Sequence, residues 1–175
     1  MKKIIVIFAV ITIGLTGIFS GCLEKGQGTL VIKLTDAPSD LNITEALITM
    51  SNLKVHYAGI DDENDTLGEW ITIVNESQTF DLILLQDATT LFGSATLQAG
   101  WYSQIRLEVE KALVTIDGVQ YDLTIPSKTV KLIKPFKVLD NETLTLTLDF
   151  DIQKSVHKTG SDKYVLKPTI KVIQE

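Results

Sequence analysis

Leu144, Leu146, Leu148 and Phe150 alternate without a break against Thr143, Thr145, Thr147 and Asp149. Strict period-two alternation places the two sets on opposite faces of an extended chain, whereas a helix would scatter them around its axis. The stretch predicts a strand with one buried face and a threonine-lined outer face, a side chain that suits strands. The same period returns in residues 101–115, where Ile105, Leu107 and Val109 alternate with Gln104, Arg106, Glu108 and Glu110. Past Lys111 the apolar set moves to Ala112, Val114 and Ile116, a change of parity that predicts a bulge or break at 110–112. Asp117-Gly118 then predicts a type I′ hairpin into 119–125, because both residues tolerate positive φ.

Further strands are predicted at 30–34, 46–57, 69–74, 79–85 and 164–173, with helical turns at 87–93 and 152–157. About eight strands with almost no helix between them predict an all-β domain built as a two-sheet β-sandwich, spanning 29–175.

The N-terminus has a different pattern. Lys2 and Lys3 precede an apolar run from Ile4 to Ile18, followed by Phe19, Ser20, Gly21 and the single cysteine, Cys22. Basic residues, an apolar core and small residues before a cut describe a secretory signal at 1–21, expected as a signal helix. A cysteine directly after the cut marks a lipoprotein, in which the Cys22 thiol carries lipid and residues 22–28 form a short tether. Simple secretion and an uncleaved anchor are the alternatives, the run being shorter than the ~20 residues a spanning helix needs. All three place the domain on the extracytoplasmic face, because Lys2 and Lys3 stay inside.

Loss of residues 1–21 would take the formal net charge from -6 to -8, since Lys2 and Lys3 are the only charges removed. Nucleic acid is excluded as a partner, because phosphate binding rests on clustered Lys and Arg. With one cysteine no internal disulfide forms, so the apolar core must hold the fold.

The segments GTLVIKLTDAP at 28–38, FDLILL at 80–85, AGWYSQIRL at 99–107 and LDFDIQKSV at 148–156 carry a resemblance to a known family. They are similar to the extracellular lipoprotein domain catalogued as domain of unknown function 4382. The resemblance implies a Greek-key sandwich of prealbumin-like or immunoglobulin-like kind, related in shape to carbohydrate-binding-like modules. It implies no activity and no catalytic residue. Within AGWYSQIRL the glycine is expected to turn the chain and Tyr102 to pack.

Candidate sites follow from side-chain chemistry. Trp70, Trp101, Tyr102, Tyr57 and Tyr121 are the aromatics on which a sugar ring can stack, although aromatics in an all-β domain are more often core. Asp61, Glu63 and Asp65 concentrate oxygen ligands of the kind calcium takes, but the EF-hand spacing fails and a solvated hairpin tip is the better reading. Asp36, Asp149 and Asp151 lie at strand ends, with Asp36 expected to bond its own backbone in a turn. Asn42, Asn64, Asn75 and Asn141 satisfy the N-glycosylation rule. Asp151, Ser155 and His157 supply residue types of a hydrolytic triad without its geometry, so no catalytic residue and no cofactor are assigned. The expectation is a non-enzymatic surface module, held to the membrane by its lipid, whose partner is a protein or a cell-envelope glycan.

Overall fold

A computed structural model describes residues 26–37, 42–60, 68–160 and 163–175. The signal segment, Cys22, residues 23–25 of the tether, and Asp61, Glu63, Asn64 and Asp65 lie outside the described residues.

Alternation sets the framework. In β1 (Gln27–Asp36), Leu30, Ile32 and Leu34 are fully buried and the residues between them only partly so. In β9 (Thr143–Phe150), Leu146, Leu148 and Phe150 are buried in the same way. The two strands run parallel in register, Leu34 opposite Leu148. With β5 (Thr90–Gln98) and β12 (Ile170–Gln174) they form a four-stranded sheet in the order β12-β9-β1-β5. The outer threonine row is real but not wholly wet. Thr147 is buried, its hydroxyl donating to Glu175 at 3.0 Å.

The second sheet is built on two 17-residue strands, β2 (Ile43–Gly59) and β6 (Gly100–Ile116), paired antiparallel. Each is long enough to take two shorter neighbours end to end. β3 (Trp70–Val74) and β4 (Gln78–Asp81) share the edge of β2, while β7 (Val119–Thr124) and β8 (Thr129–Val138) share that of β6. The short strands β10 (Val156–Lys158) and β11 (Tyr164–Leu166) extend it past β7 to eight strands. The two sheets close over one core, to which β2 contributes Ile48, Met50 and Val55 and β6 contributes Ile105, Leu107 and Val109. Each such side chain stabilises the fold by about 1.5–3 kcal/mol on burial, the source of stability available to a chain without disulfides. The fold is therefore a β-sandwich.

The local irregularities follow the sequence closely. Thr49 pairs with Lys111 but Met50 with Val109, so Glu110 is the extra residue of a bulge at the predicted change of parity. Asp117 (φ 50) and Gly118 (φ 78) both take positive φ between the paired Ile116 and Val119, as a type I′ turn requires.

Three expectations are corrected. Only Gln78–Asp81 of the predicted 79–85 strand is extended. Asp81 then accepts the Ile83 N–H at 3.1 Å and starts a 3-10 turn at Leu82–Leu85, a local bond that competes with the ladder. Of the helical turn expected at 87–93, only Asp87 is in a turn and residues 90–93 are instead the start of β5. Its pattern was obscured because Phe92 is skipped in the register, which buries Phe92 and Gly93 in succession. The strand expected at 164–173 is two strands in different sheets. Pro168 offers no N–H, and Lys167 and Thr169 bond Ser155 while the chain crosses over. The turn expected at 152–157 is one helical turn, α1 (Ile152–Ser155). β8 carries no strand assignment from sequence, since Pro135 interrupts it. Pro135 falls where two residues, 134 and 135, face only Ser103.

Candidate functional site

The outer face of the eight-stranded sheet gathers chemistry that the core does not use. Register defines its rows. Trp70 of β3 lies opposite His56 of β2, His56 opposite Gln104 of β6, and Gln104 opposite Ile133 of β8. In the adjacent row Thr72, Lys54, Arg106 and Lys131 follow one another across the same four strands. Trp101 lies farther along β6, opposite Lys137.

Within this face the Arg106 guanidinium stacks on the Trp70 ring at 4.1 Å from its centroid. The Trp70 ring also leans on His56, centroids 4.9 Å apart, and His56 Nδ1 is 2.9 Å from the Ser103 hydroxyl. The stack is worth about 0.5–2 kcal/mol depending on how dry it is. It fixes the plane of the arginine fork. One Arg106 terminal nitrogen donates to Gln104 over a long 3.4 Å, while Nε is buried without a partner. Beside it is a depression of about 320 Å³ lined by Asn52, Lys54, Trp70, Arg106, Glu108 and Thr129. Lys137 stands 5.4 Å over the Trp101 ring, so each tryptophan of the sheet holds a cation.

The structure separates the candidate aromatics. Trp70 is 36% exposed and Trp101 half-buried, both on this face. Tyr102 is corrected as a sugar platform. Its side chain is fully buried, stacked on Phe136 at 5.2 Å and edge-on to Tyr57 at 5.3 Å, because the pleat of β6 turns it inward. Its hydroxyl donates to the Gln98 carbonyl at 2.9 Å, and burial, with Tyr57 and Glu69 nearby, pushes the phenol well above its ordinary pKa. Tyr57 is half-buried beside it, its hydroxyl bonded to the Gln98 amide. Tyr121 packs on Tyr164 at 4.7 Å. The expected row of five becomes two tryptophans, each already engaged by a cation.

The sequence model of one known family matches residues 27–168. The chain belongs to the DUF4382 family. The family is described as a domain of unknown function. No curated protein matches the chain. Among solved structures, a leucine-rich repeat protein from Bacteroides thetaiotaomicron VPI-5482 is 15% identical, with 70% of this chain and 13% of that one covered at a TM-score of 0.29. A candidate cell adhesion protein from Bacteroides ovatus ATCC 8483 is 9% identical, with 85% and 45% covered at a TM-score of 0.27. The chain thus spans less than half the length of either, and TM-scores this low leave the function of this DUF4382 domain to its own residues.

Those residues also fix the surroundings of other candidates. Asp36, Asp149 and Asp151 do interact in this DUF4382 domain, where Asp36 ends β1 and is 2% exposed. Its carboxylate accepts the Ile152 N–H at 2.9 Å and a Gln86 amide N–H at 3.5 Å, while the turn expected on its own backbone runs into residues 38–41, outside the described residues. Burial raises its pKa to about 6, with the Asp151 and Asp149 charges adding to the rise. Asp151 is committed to α1, accepting from Lys154 N at 2.9 Å and Lys154 Nζ at 2.6 Å. Ser155 is fully buried, its hydroxyl donating to the Asp151 carbonyl at 2.6 Å and accepting from Thr169 N at 2.9 Å. These groups clamp the crossover and do not face the exposed His157. Among the described residues no set of three or more His, Cys, Asp or Glu is placed to hold a metal. Asn42, Asn75 and Asn141 are exposed. The Asn42 amide donates to Asp117 at 3.0 Å and the Asn141 amide to Asp140 at 3.0 Å.

Sequence reasoning saw Arg106 only as a wet-face residue and missed Lys54 and Lys131 altogether. Their alignment depends on register across four strands, one of which had no assignment. The signal available was the spacing of Lys128, Lys131, Lys134 and Lys137, four cations at every third residue in an acidic chain.

Proposed function

We propose that this chain is a lipid-anchored, non-enzymatic binding module of the extracytoplasmic surface, whose partner is a protein or a glycan of the cell envelope. The observation that carries the reading is the outer face of the eight-stranded sheet, where Arg106, held over Trp70 with its terminal nitrogens on one long bond, lines an open depression. Polar groups elsewhere in the fold, such as Ser155, Asp36 and Tyr102, are consumed by structural hydrogen bonds. Anchoring at Cys22 is supported by the order of lysines, apolar run and small residues before it. No helix among the described residues is long and apolar enough to cross a membrane.

Two experiments test the reading. In fractionated host cells the wild-type chain is expected with the membranes, and Cys22→Ser is expected in the medium or as unprocessed precursor. Membrane-bound mature protein in that variant would refute the lipid anchor. Full-length chain is then added to envelope sheets stripped of their own copy. Trp70→Ala with Lys131→Ala should abolish sedimentation, and undiminished binding by that variant sinks this face as the binding surface.

A further inference from the structure

We infer that the row Lys54, Arg106 and Lys131, beside Trp70, binds a polysaccharide that carries carboxylate groups. This deepens the binding-module reading and rests on it.

Three observations converge. First, Lys54 lies directly opposite Arg106, and Arg106 directly opposite Lys131. Like charges opposite one another in a sheet are destabilising. Among the described residues none of the three has a carboxylate within ion-pair distance, although Asp and Glu outnumber Lys and Arg by 22 to 16. A bound anion relieves that repulsion. Second, the Arg106 guanidinium is held over the Trp70 ring, and its terminal nitrogens make only one long bond, to Gln104, while the buried Nε stays out of a ligand's reach. A planar fork with spare donors matches a carboxylate bidentately, which a lysine in its place does not. Third, the cations succeed one another at the strand spacing of about 4.8 Å, comparable to the length of one pyranose residue. A uronate chain laid across the strands meets a new cation at each step. Gln104 and Thr129, on neighbouring rows, offer hydrogen bonds to its hydroxyls.

The same face argues against other polyanions. Both tryptophans are engaged by cations, so the rings hold charge in place and offer little bare platform for a neutral sugar. Glu108 also lines the depression, its carboxylate accepting from Asn52 at 3.0 Å. With the net charge of -6, it penalises densely sulfated or phosphorylated chains more than a polymer with one carboxylate per residue.

The test is calorimetric titration of the full chain, in neutral detergent at low salt, with polygalacturonate, its methyl ester, dextran, dextran sulfate and poly-L-glutamate. Polygalacturonate is expected to bind, and the methyl ester at least about tenfold more weakly, since a hydrogen bond to a charged group is worth about 1.5–3 kcal/mol. Arg106→Lys keeps the charge and should still lose about tenfold, Lys131→Ala at the exposed edge should lose several-fold, and Glu108→Gln should bind more tightly. Thermal unfolding of each variant checks that it is folded. Equal binding of the ester or dextran overturns the carboxylate requirement and leaves the surface-binding reading standing. Equal binding of poly-L-glutamate overturns the glycan in favour of an acidic protein, and a preference for dextran sulfate that Trp70→Ala does not alter reduces the face to an ion exchanger. No binding of any polymer, with envelope sedimentation still lost in the face variant, overturns the glycan alone. If the envelope assay is also insensitive to the face, both readings fall.

Discussion

Asp36→Asn isolates the one carboxylate among the described residues that is buried and whose ionisation opposes folding. Asn keeps the shape and an oxygen that can accept the Ile152 N–H, now held at 2.9 Å, while removing the charge. The sign follows from proton binding. The folded pKa is raised from 3.8 to about 6, so the folded state holds a proton that the unfolded chain has released between those values. Stability therefore falls as pH rises through this window, and the loss is complete above the folded pKa. A rise of about two pKa units corresponds to about 3 kcal/mol. The stability difference, variant minus wild type, should thus climb by up to about 3 kcal/mol between pH 3.5 and pH 7.5. Urea unfolding at a series of pH values measures it, and the subtraction cancels the carboxylates that do not interact with Asp36, leaving only the coupled Asp151 and Asp149 to respond. A difference that stays flat across this range, or that favours the wild type increasingly at high pH, refutes the assignment. Near pH 3.5 the two proteins should be close, since position 36 is uncharged in both folded states.

Other positions give independent tests. Gly28→Ala should cost at least about 2 kcal/mol, or prevent soluble expression, because its Cβ would fall 2.2 Å from the Leu139 carbonyl oxygen and 2.8 Å from Val138 Cγ1. That backbone has little room to give way, with Asn141 N bonded to Gln27 O at 2.7 Å, and a neutral result in thermal unfolding would refute the close approach. Tyr102→Phe should cost about 1 kcal/mol through the lost bond to Gln98 O, with an unchanged urea m-value, and should leave envelope binding intact. Loss of binding in a folded Tyr102→Phe variant would show that Tyr102 serves the surface after all.

Local periodicity carried much of the architecture. The rows around Leu146 and Ile105, the bulge at Glu110 and the turn at Asp117-Gly118 were all legible, because each is decided by neighbours in sequence. What was not legible depended on competition between local and distant bonds. Asp81 diverts FDLILL from strand to turn with one side-chain bond. Phe92 is pushed out of register by a neighbour some 60 residues away, Ile32 and Lys33 closing up on Gly93 and Leu91. The candidate site was least legible of all, since opposing Lys54, Arg106 and Lys131 requires knowing which strands are adjacent and in what register. Tyr102 was read two ways, as a packing residue and as a sugar platform, and pleat geometry allows only the first.

The place of β1 in its sheet has a mechanical consequence. The strand begins at Gln27, close to the N-terminal limit of the described residues, and is hydrogen-bonded on both edges, antiparallel to β5 and parallel to β9. Interstrand bonds lie across the strand direction. A pull on the N-terminus along the strand therefore loads two ladders in shear, many bonds at once, and cannot peel them open one by one. Under the anchor proposed at Cys22, a domain built this way would resist drag at its point of attachment, with its mechanical strength in the strand nearest the anchor.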